Sequence, residues 1–451
     1  NFHTVLEAFV PGHIQHDQQT RVYMSETPPT TPAPAGALKA PLRGALVLGG
    51  DSEQAILTRL EKVHQAAGQG QAPPPAPPEE QDLRAPLRLV IDYGDAAELA
   101  QKCDKAHKAL QGNNPAAWKM LRTQGIFLGK GPAPKVAFLY TGQGSQYVNM
   151  LKELQAADPL VSDTFREADD IMKPLIPRPL SSYIFINSND PSDLKQADHA
   201  LRQTEITQPA VLTVDLALTR LLAAYGMSPD MVMGHSLGEY GALVAAGALP
   251  FADALKAVSA RGTEMAKVSV ADNGLMAACF GPLEEIEKII NTVEGYVVIA
   301  NINSNSQAVI GGATDGVKKA VEALEKAGFT ARLLPVSHAF HTEIVAPASE
   351  PLGRVLSQMN IRPPALPIVA NVTGEPYPMG PGVEPQMVDM LARQVAAPVQ
   401  FVKGLKTLYD AGVRVFVEVG PKKALQGFVE DVLGKEYDVL ALCTNHPKQG
   451  D

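Results

Sequence analysis

Hydrophobic and polar positions along this chain switch between a period of two and a period near 3.6, and the switches mark its elements. Two apolar runs, Ala45-Leu46-Val47-Leu48-Gly49 and Leu89-Val90-Ile91-Asp92, each follow an Ala-Pro-Leu-Arg tetrapeptide at residues 40–43 and 85–88. Each has the length of a strand, meets a Gly/Asp turn and gives way to helical spacing over residues 52–66 and 96–110. Residues 36–130 are therefore expected to form a small α/β domain without chemistry of its own. From Lys135 the pattern changes, and the buried-strand run Val136-Ala137-Phe138-Leu139-Tyr140 opens onto Thr141-Gly142-Gln143-Gly144-Ser145-Gln146. A strand running into glycines is the usual entry to a parallel α/β sheet. An amphipathic helix is predicted from Gln208-Pro209-Ala210 to about Tyr225. A short strand, Met231-Val232-Met233, then ends at Gly234-His235-Ser236-Leu237-Gly238, and a helix follows over residues 239–246.

Residues 273–336 read as strand (275–280), helix (282–293), strand (296–301), strand (307–311), helix (315–327) and strand (330–336), the order of a ferredoxin-like unit. It is expected as an insertion in the larger α/β domain, which resumes at Ile368-Val369-Ala370-Asn371 and over residues 413–419. Proline is concentrated at 28–34 and 73–78, where extended linkers are expected.

Composition narrows the function classes. With 45% hydrophobic and 19% charged residues the chain is globular, and 451 residues suffice for two or three domains. A net charge of -9 gives no general attraction to nucleic acid or an anionic membrane. Cys103, Cys279 and Cys443 are scattered without CxxC spacing, which suggests neither disulfides nor a zinc site and fits a reducing cytoplasm. Apolar runs are broken by Gly, Asp or Lys before the ~20 residues that span a bilayer. Asn1 is not an initiator Met, so the chain is expected to begin inside something longer.

Gly234-His235-Ser236-Leu237-Gly238 is a G-x-S-x-G sequence between a predicted strand and a predicted helix, the context that exposes a nucleophilic serine on a sharp turn. The helix N-terminus there favours the negative charge that develops in acyl transfer. Such a serine needs a base. Of the ten histidines, His3, His13 and His16 lie outside the serine domain, His64, His107 and His199 sit on polar helical stretches, and His446 is near the end. His235 adjoins the serine and suits a supporting hydrogen bond. His338 and His341, in Ser337-His338-Ala339-Phe340-His341, remain, and the residues alone do not choose between them. Gly142-Gln143-Gly144 lacks the third glycine and the acid of a dinucleotide site, and no metal or flavin pattern is visible.

Six motifs in order carry a family resemblance: Gly142-Gln143-Gly144-Ser145-Gln146, Thr207-Gln208-Pro209-Ala210, Gly234-His235-Ser236-Leu237-Gly238-Glu239-Tyr240, Arg261-Gly262, His338-Ala339-Phe340-His341 and Glu418-Val419-Gly420-Pro421. Over about residues 130–445 the chain resembles the malonyl-CoA:acyl-carrier-protein transacylases, specifically the acyltransferase domain of type I polyketide or polyunsaturated fatty acid synthases. The resemblance implies a ketosynthase tail and linker at 1–35 (Asn1-Phe2-His3-Thr4-Val5-Leu6-Glu7), a ketosynthase-to-acyltransferase linker domain at 36–130, an acyltransferase domain at 131–445 and a tail at 446–451. The fold class expected is α/β, with an α/β-hydrolase-like large subdomain, the inserted ferredoxin-like small one and the α/β linker domain before them.

Carried over position by position, the resemblance makes Ser236 the nucleophile and His341 the general base. A backbone carbonyl at Gln394, rather than an acid, orients that base. Backbone N–H groups of Gln143 and Leu237 form the oxyanion hole, Arg261 grips the free carboxylate of the extender unit, and His338 and Phe340 shape the pocket. Gln208 and Asn303 line the same cleft. A guanidinium fork suits a carboxylate because it pairs both oxygens at once. Phe340 stands where methylmalonyl-accepting relatives carry a small Ser, which implies a malonyl preference. The implied reaction loads malonyl from malonyl-CoA, through an acyl-serine, onto the phosphopantetheine thiol of an acyl carrier protein. The partners implied are that carrier and the ketosynthase of the same polypeptide, with no cofactor held by this chain, no nucleic acid and no membrane. The alternatives are another extender such as methylmalonyl-CoA, or a serine esterase or thioesterase. Against the latter, no convincing acid precedes His341 and a hydrolase has no use for Arg261. A non-catalytic scaffold suits only residues 1–130.

Overall fold

The computed structural model describes residues 38–112, 115–268, 270–434 and 437–448. The segment expected to be a ketosynthase tail lies outside them. The described residues divide into two compact units, one of residues 38–136 with 221–228, the other of 137–220 with 229–448.

The first unit is a three-stranded sheet of order β1-β2-β3, with β1 Gly44–Gly50, β2 Leu87–Tyr93 and β3 Ile126–Lys130, all neighbours antiparallel. Successive side chains point to opposite faces. Leu46, Leu48, Leu89, Ile91 and Ile126 pack with Ile56 and Leu60 of the helix Glu53–Gly68 and with Leu99 and Cys103 of the helix Ala96–Gly112. Val47, Val90 and Phe127 meet Leu83 on the other face. The repeated strand–helix units predicted from the sequence are β1 and β2 with these two helices. Strand β3 was not anticipated.

The second unit holds a five-stranded sheet of order β10-β5-β4-β11-β12: β4 Lys135–Tyr140, β5 Met231–Gly234, β10 Ile368–Val369, β11 Val413–Val419 and β12 Leu440–Cys443. The pairs β10–β5, β4–β5 and β11–β12 are parallel. Ala137, Leu139, Met231, Met233 and Val369 pack on Phe401, Leu405 and Leu408 of the helix Phe401–Asp410 and on Leu425 and Val429 of the helix Ala424–Val432. Phe138 and Val232, with the opposite parity, are also fully buried. Burial on both faces is why these strands read as continuous apolar runs. A second sheet, of order β7-β8-β6-β9, comprises β6 Leu275–Phe280, β7 Val297–Ile302, β8 Gln307–Gly312 and β9 Thr330–Leu333. Its antiparallel strands are covered by the helices Leu283–Ile290 and Thr314–Lys326. An isolated bridge between Asn301 and Val399 ties β7 to the chain entering the helix Phe401–Asp410.

One expectation needs correction. The helix predicted from Gln208 begins at Thr204 and runs through Pro209 to Ala224. At 21 residues it is long and apolar enough to cross a membrane by length and composition, although Asp215 interrupts its apolar run as expected from the sequence. It serves as a core helix, with Val211, Leu212, Val214, Leu218 and Leu222 all buried. Cys103 and Cys279 are buried, and burial pushes both thiols up to about 12, so neither is a nucleophile at neutral pH.

Candidate active site

Strand β5 ends at Gly234 and the helix Gly238–Ala245 starts four residues later, so the chain reverses at Ser236. A Cβ on Gly234 would lie 1.9 Å from the Gly238 carbonyl carbon, which leaves only glycine there. Ser236 has φ +53°, a left-handed conformation that costs an L-residue energy and persists only where its surroundings impose it. Side chains from two other segments hold both of its backbone polar groups. Asn371 Oδ1 accepts the Ser236 N–H at 2.6 Å while Asn371 Nδ2 donates to Gly234 O at 2.7 Å. Gln394 Nε2 donates to Ser236 O at 2.7 Å.

His341 Nε2 lies 2.7 Å from Ser236 Oγ. Its Nδ1 lies 3.0 Å from Gln394 O and 3.1 Å from Ala397 O. Carbonyl oxygens only accept, so Nδ1 carries the proton and Nε2 is left as the acceptor of the serine hydroxyl. Burial, reinforced by the Arg261 charge, pushes the ring down to about 3, so it is neutral at physiological pH. His338 is placed differently. Its Nε2 meets Val268 O at 3.0 Å and its Nδ1 meets Ser337 Oγ at 3.0 Å. The geometry thus separates the two histidines that the sequence left equivalent.

Arg261, on the helix Phe251–Lys267, is 1% exposed. One terminal nitrogen donates to Gln394 Oε1 at 3.2 Å and reaches Ser236 Oγ at 3.4 Å, while its Nε is buried with no acceptor among the described residues. Burial lowers its pKa, and the nearby Tyr240 and Glu239 oppose that shift. A buried guanidinium with a spare donor beside a serine hydroxyl is arranged to receive an anion. Glu239, one turn after the serine, is wholly buried, and burial raises its carboxyl to about 7 against the hydrogen bonds it accepts. These come from Tyr377 Oη at 2.5 Å, Gln394 Nε2 at 2.8 Å and Asn371 N–H at 3.4 Å. Asn371, Glu239 and Tyr377 were not singled out from sequence. A glutamate three residues after the elbow serine was the one available signal.

The remaining candidates divide. A Cβ on Gly142 would lie 2.3 Å from His235 O, so the turn after β4 lies directly against the elbow. Neither the Gln143 N–H nor the Leu237 N–H meets an acceptor among the described residues. Gln208 is buried, with Nε2 3.5 Å from Gln143 Oε1 and its own Oε1 unpaired. Asn303, just past β7, has Oδ1 2.7 Å from His235 Nε2, and the His235 ring sits 5.3 Å from that of Phe401. Asn303 and His235 thus brace each other. Phe340 is buried with its ring 6.1 Å from that of His338. Among the described residues no three His, Cys, Asp or Glu side chains gather as metal ligands.

The acyl transferase domain family matches residues 137–449. A malonyl CoA-acyl carrier protein transacylase of Bacillus subtilis is 38% identical over 304 residues, 66% of this chain and 90% of that protein. NorB, a spectinabilin polyketide synthase system protein of Streptomyces orinoci, is 30% identical over 410 residues, 90% of this chain but 18% of its own length. Among solved structures, a malonyl-transacylase in complex with a type II polyketide synthase acyl carrier protein is 30% identical with a TM-score of 0.62, covering 70% of this chain and 97% of that one. The transacylase of Streptococcus pneumoniae gives 36% and 0.59, over 69% and 95%. Since the family match takes in the whole second unit and every residue of the site in it, the chain belongs to the acyl transferase domain family.

Proposed function

We propose that this chain is a malonyl-CoA:acyl-carrier-protein malonyltransferase, working through an acyl-serine on Ser236. The observation that carries this reading is the buried Arg261 fork, with an unpaired Nε, beside a serine hydroxyl already bonded to a neutral histidine. Arg261 receives the malonyl carboxylate, placing the thioester carbonyl over Ser236 Oγ. As Oγ bonds to that carbon, its proton passes to His341 Nε2, and the Gln394 carbonyl keeps the opposite nitrogen protonated. The Gln143 and Leu237 N–H groups take the oxyanion. Collapse breaks the carbon–sulfur bond, and coenzyme A leaves as its sulfur takes the proton from His341. In the second half-reaction the phosphopantetheine thiol of an acyl carrier protein gives its proton to His341 and attacks the acyl-serine, and Ser236 leaves with that proton. Phe340 and His338 bound the acyl pocket, with Gln208 near its polar wall. Asn303 acts through His235.

We read the five-stranded sheet as an α/β-hydrolase-like subdomain, residues 273–336 as its ferredoxin-like insertion, residues 36–130 as a ketosynthase-to-acyltransferase linker and 446–451 as a tail. The similarity to NorB, which extends beyond the acyl transferase match, supports a place in a multidomain synthase with a ketosynthase partner. The test is incubation with malonyl-CoA and a phosphopantetheinylated acyl carrier protein, followed by mass spectrometry of the carrier. Malonyl on the carrier supports transfer. Free malonate with an unmodified carrier would favour the esterase reading.

A further inference from the structure

The Gln394 side chain faces acceptors on one end and a donor on the other. Its Nε2 has two hydrogens and two partners, Ser236 O at 2.7 Å and Glu239 Oε2 at 2.8 Å. That fixes which way the amide points, and leaves Oε1 turned to the Arg261 guanidinium at 3.2 Å. Were the amide flipped, an oxygen would face the Ser236 carbonyl and the Glu239 carboxyl, while an NH₂ would face a cation. Glu239 is in turn fixed from its other side by Tyr377 Oη and the Asn371 N–H, and Asn371 is the residue that holds the Ser236 N–H. The Gln394, Glu239, Tyr377, Asn371 and Arg261 side chains are all buried, with Ser236 half-buried beside them, so water does not readily replace a partner lost among these side chains and each bond constrains the next.

We propose that Glu239 is a positioning residue for substrate choice: through the Gln394 amide it sets the place of the Arg261 guanidinium relative to Ser236, and so favours acyl groups that carry a free carboxylate. This rests on the proposed roles of Arg261 and Ser236. Displacing a group by about 1 Å from outside the reacting atoms can cost up to about 10²-fold in rate. Loss of Glu239 therefore weakens malonyl loading beyond any general damage to the elbow, because acetyl loading uses the same serine and histidine but has no carboxylate for Arg261.

The experiment compares kcat/KM for acyl-enzyme formation from malonyl-CoA and acetyl-CoA in the full chain. Glu239→Ala is expected to lower the malonyl-to-acetyl ratio by roughly tenfold or more. Glu239→Gln keeps a carbonyl acceptor for the Gln394 amide, while its NH₂ reverses the bond to Tyr377 Oη, which turns from donor to acceptor, and it is expected to restore most of the ratio. If Glu239→Ala does not fold, Gln394→Met breaks the same relay while keeping the backbone carbonyl for His341, with the same expected fall. In an Arg261→Ala background neither change should lower the ratio further, a non-additivity that simple destabilisation does not produce. A wild-type ratio in the folded relay variants, or an equal further fall without Arg261, overturns the positioning role. Failure of the reading beneath it looks different: wild-type protein forms no acyl adduct, or Ser236→Ala still forms one.

Discussion

Burying the Arg261 guanidinium costs solvation, which among the described residues is opposed by the coulombic pull of Tyr240 and Glu239 and by hydrogen bonds to Gln394 Oε1 and Ser236 Oγ. In the proposed function the malonyl carboxylate pairs with this guanidinium, so Arg261→Ala is expected to cost on the order of 2–4 kcal/mol in transition-state binding for malonyl. Acetyl loading should be spared or improved, and steady-state kinetics with both thioesters would reveal an equal loss if Arg261 were structural. Phe340 tests the apolar side of the pocket. A methyl's fit is worth only ~1–3 kcal/mol, so the ring should give a preference for malonyl over methylmalonyl rather than exclusion, and Phe340→Ser should relax it. Competition between the two thioesters measures this, and an unchanged ratio removes Phe340 as the cause. His341 makes a pH prediction. Protonation disables a base as pH falls through its pKa, and burial has moved that pKa from 6.5 to about 3. The acid limb of kcat/KM for loading should accordingly lie well below pH 6.5. A limb near 6.5 in rapid-quench measurements would show a solvated histidine or a different base.

Elements explain which parts of the site were legible in sequence. The elbow announces itself locally, because Gly234, Ser236 and Gly238 satisfy a turn geometry within five residues. Gly234→Ala should force apart backbone now 1.9 Å from the added carbon and cost more than about 2 kcal/mol, seen as a lower urea midpoint. A change within about 0.5 kcal/mol would mean the turn relaxes freely. The elements of the small sheet were equally readable, since its strands and helices alternate cleanly, while their spatial order β7-β8-β6-β9 comes from the structure. Strands β3 and β12 were not, being short edge strands whose pairing comes from partners far along the chain. Pro209 looked like a helix start, but the buried face of Thr204–Ala224 outweighs the hydrogen bond it removes. Asn371 read as the end of a strand that stops at Val369, and its bond to Ser236 spans 135 positions, a relation no local pattern carries. The residues alone left His341 and His338 equivalent and only the family resemblance chose His341; in the structure it is His341 Nε2 that lies against Ser236 Oγ, while His338 bonds to Val268 O.

Across the molecule, three carboxyl groups among the described residues are buried without a salt bridge: Glu239, Asp215 and Glu418. Burial raises all three, Glu239 to about 7, Glu418 to about 8 and Asp215 well above its ordinary value. In the unfolded chain they lose their protons near the ordinary carboxylate range, so between about pH 5 and 8 the folded state binds more protons and stability falls as pH rises. Thermal melts should show a lower Tm at pH 8 than at pH 5. Glu418→Gln, which keeps an acceptor for the Gln426 N–H, should flatten that slope, and an unchanged slope would mean Glu418 ionises without penalty. The same second unit that tolerates these acids brings a serine, a histidine and an arginine from three segments into one site, and the function proposed for them is to form a covalent acyl-enzyme. The most direct test is intact-mass spectrometry after brief exposure to malonyl-CoA. Wild-type protein should gain one malonyl group, mapped by peptide analysis to Ser236, and Ser236→Ala should gain none while its circular dichroism and Tm stay those of the wild type. An adduct of the same mass and rate on folded Ser236→Ala, or none on the wild type, would contradict the account.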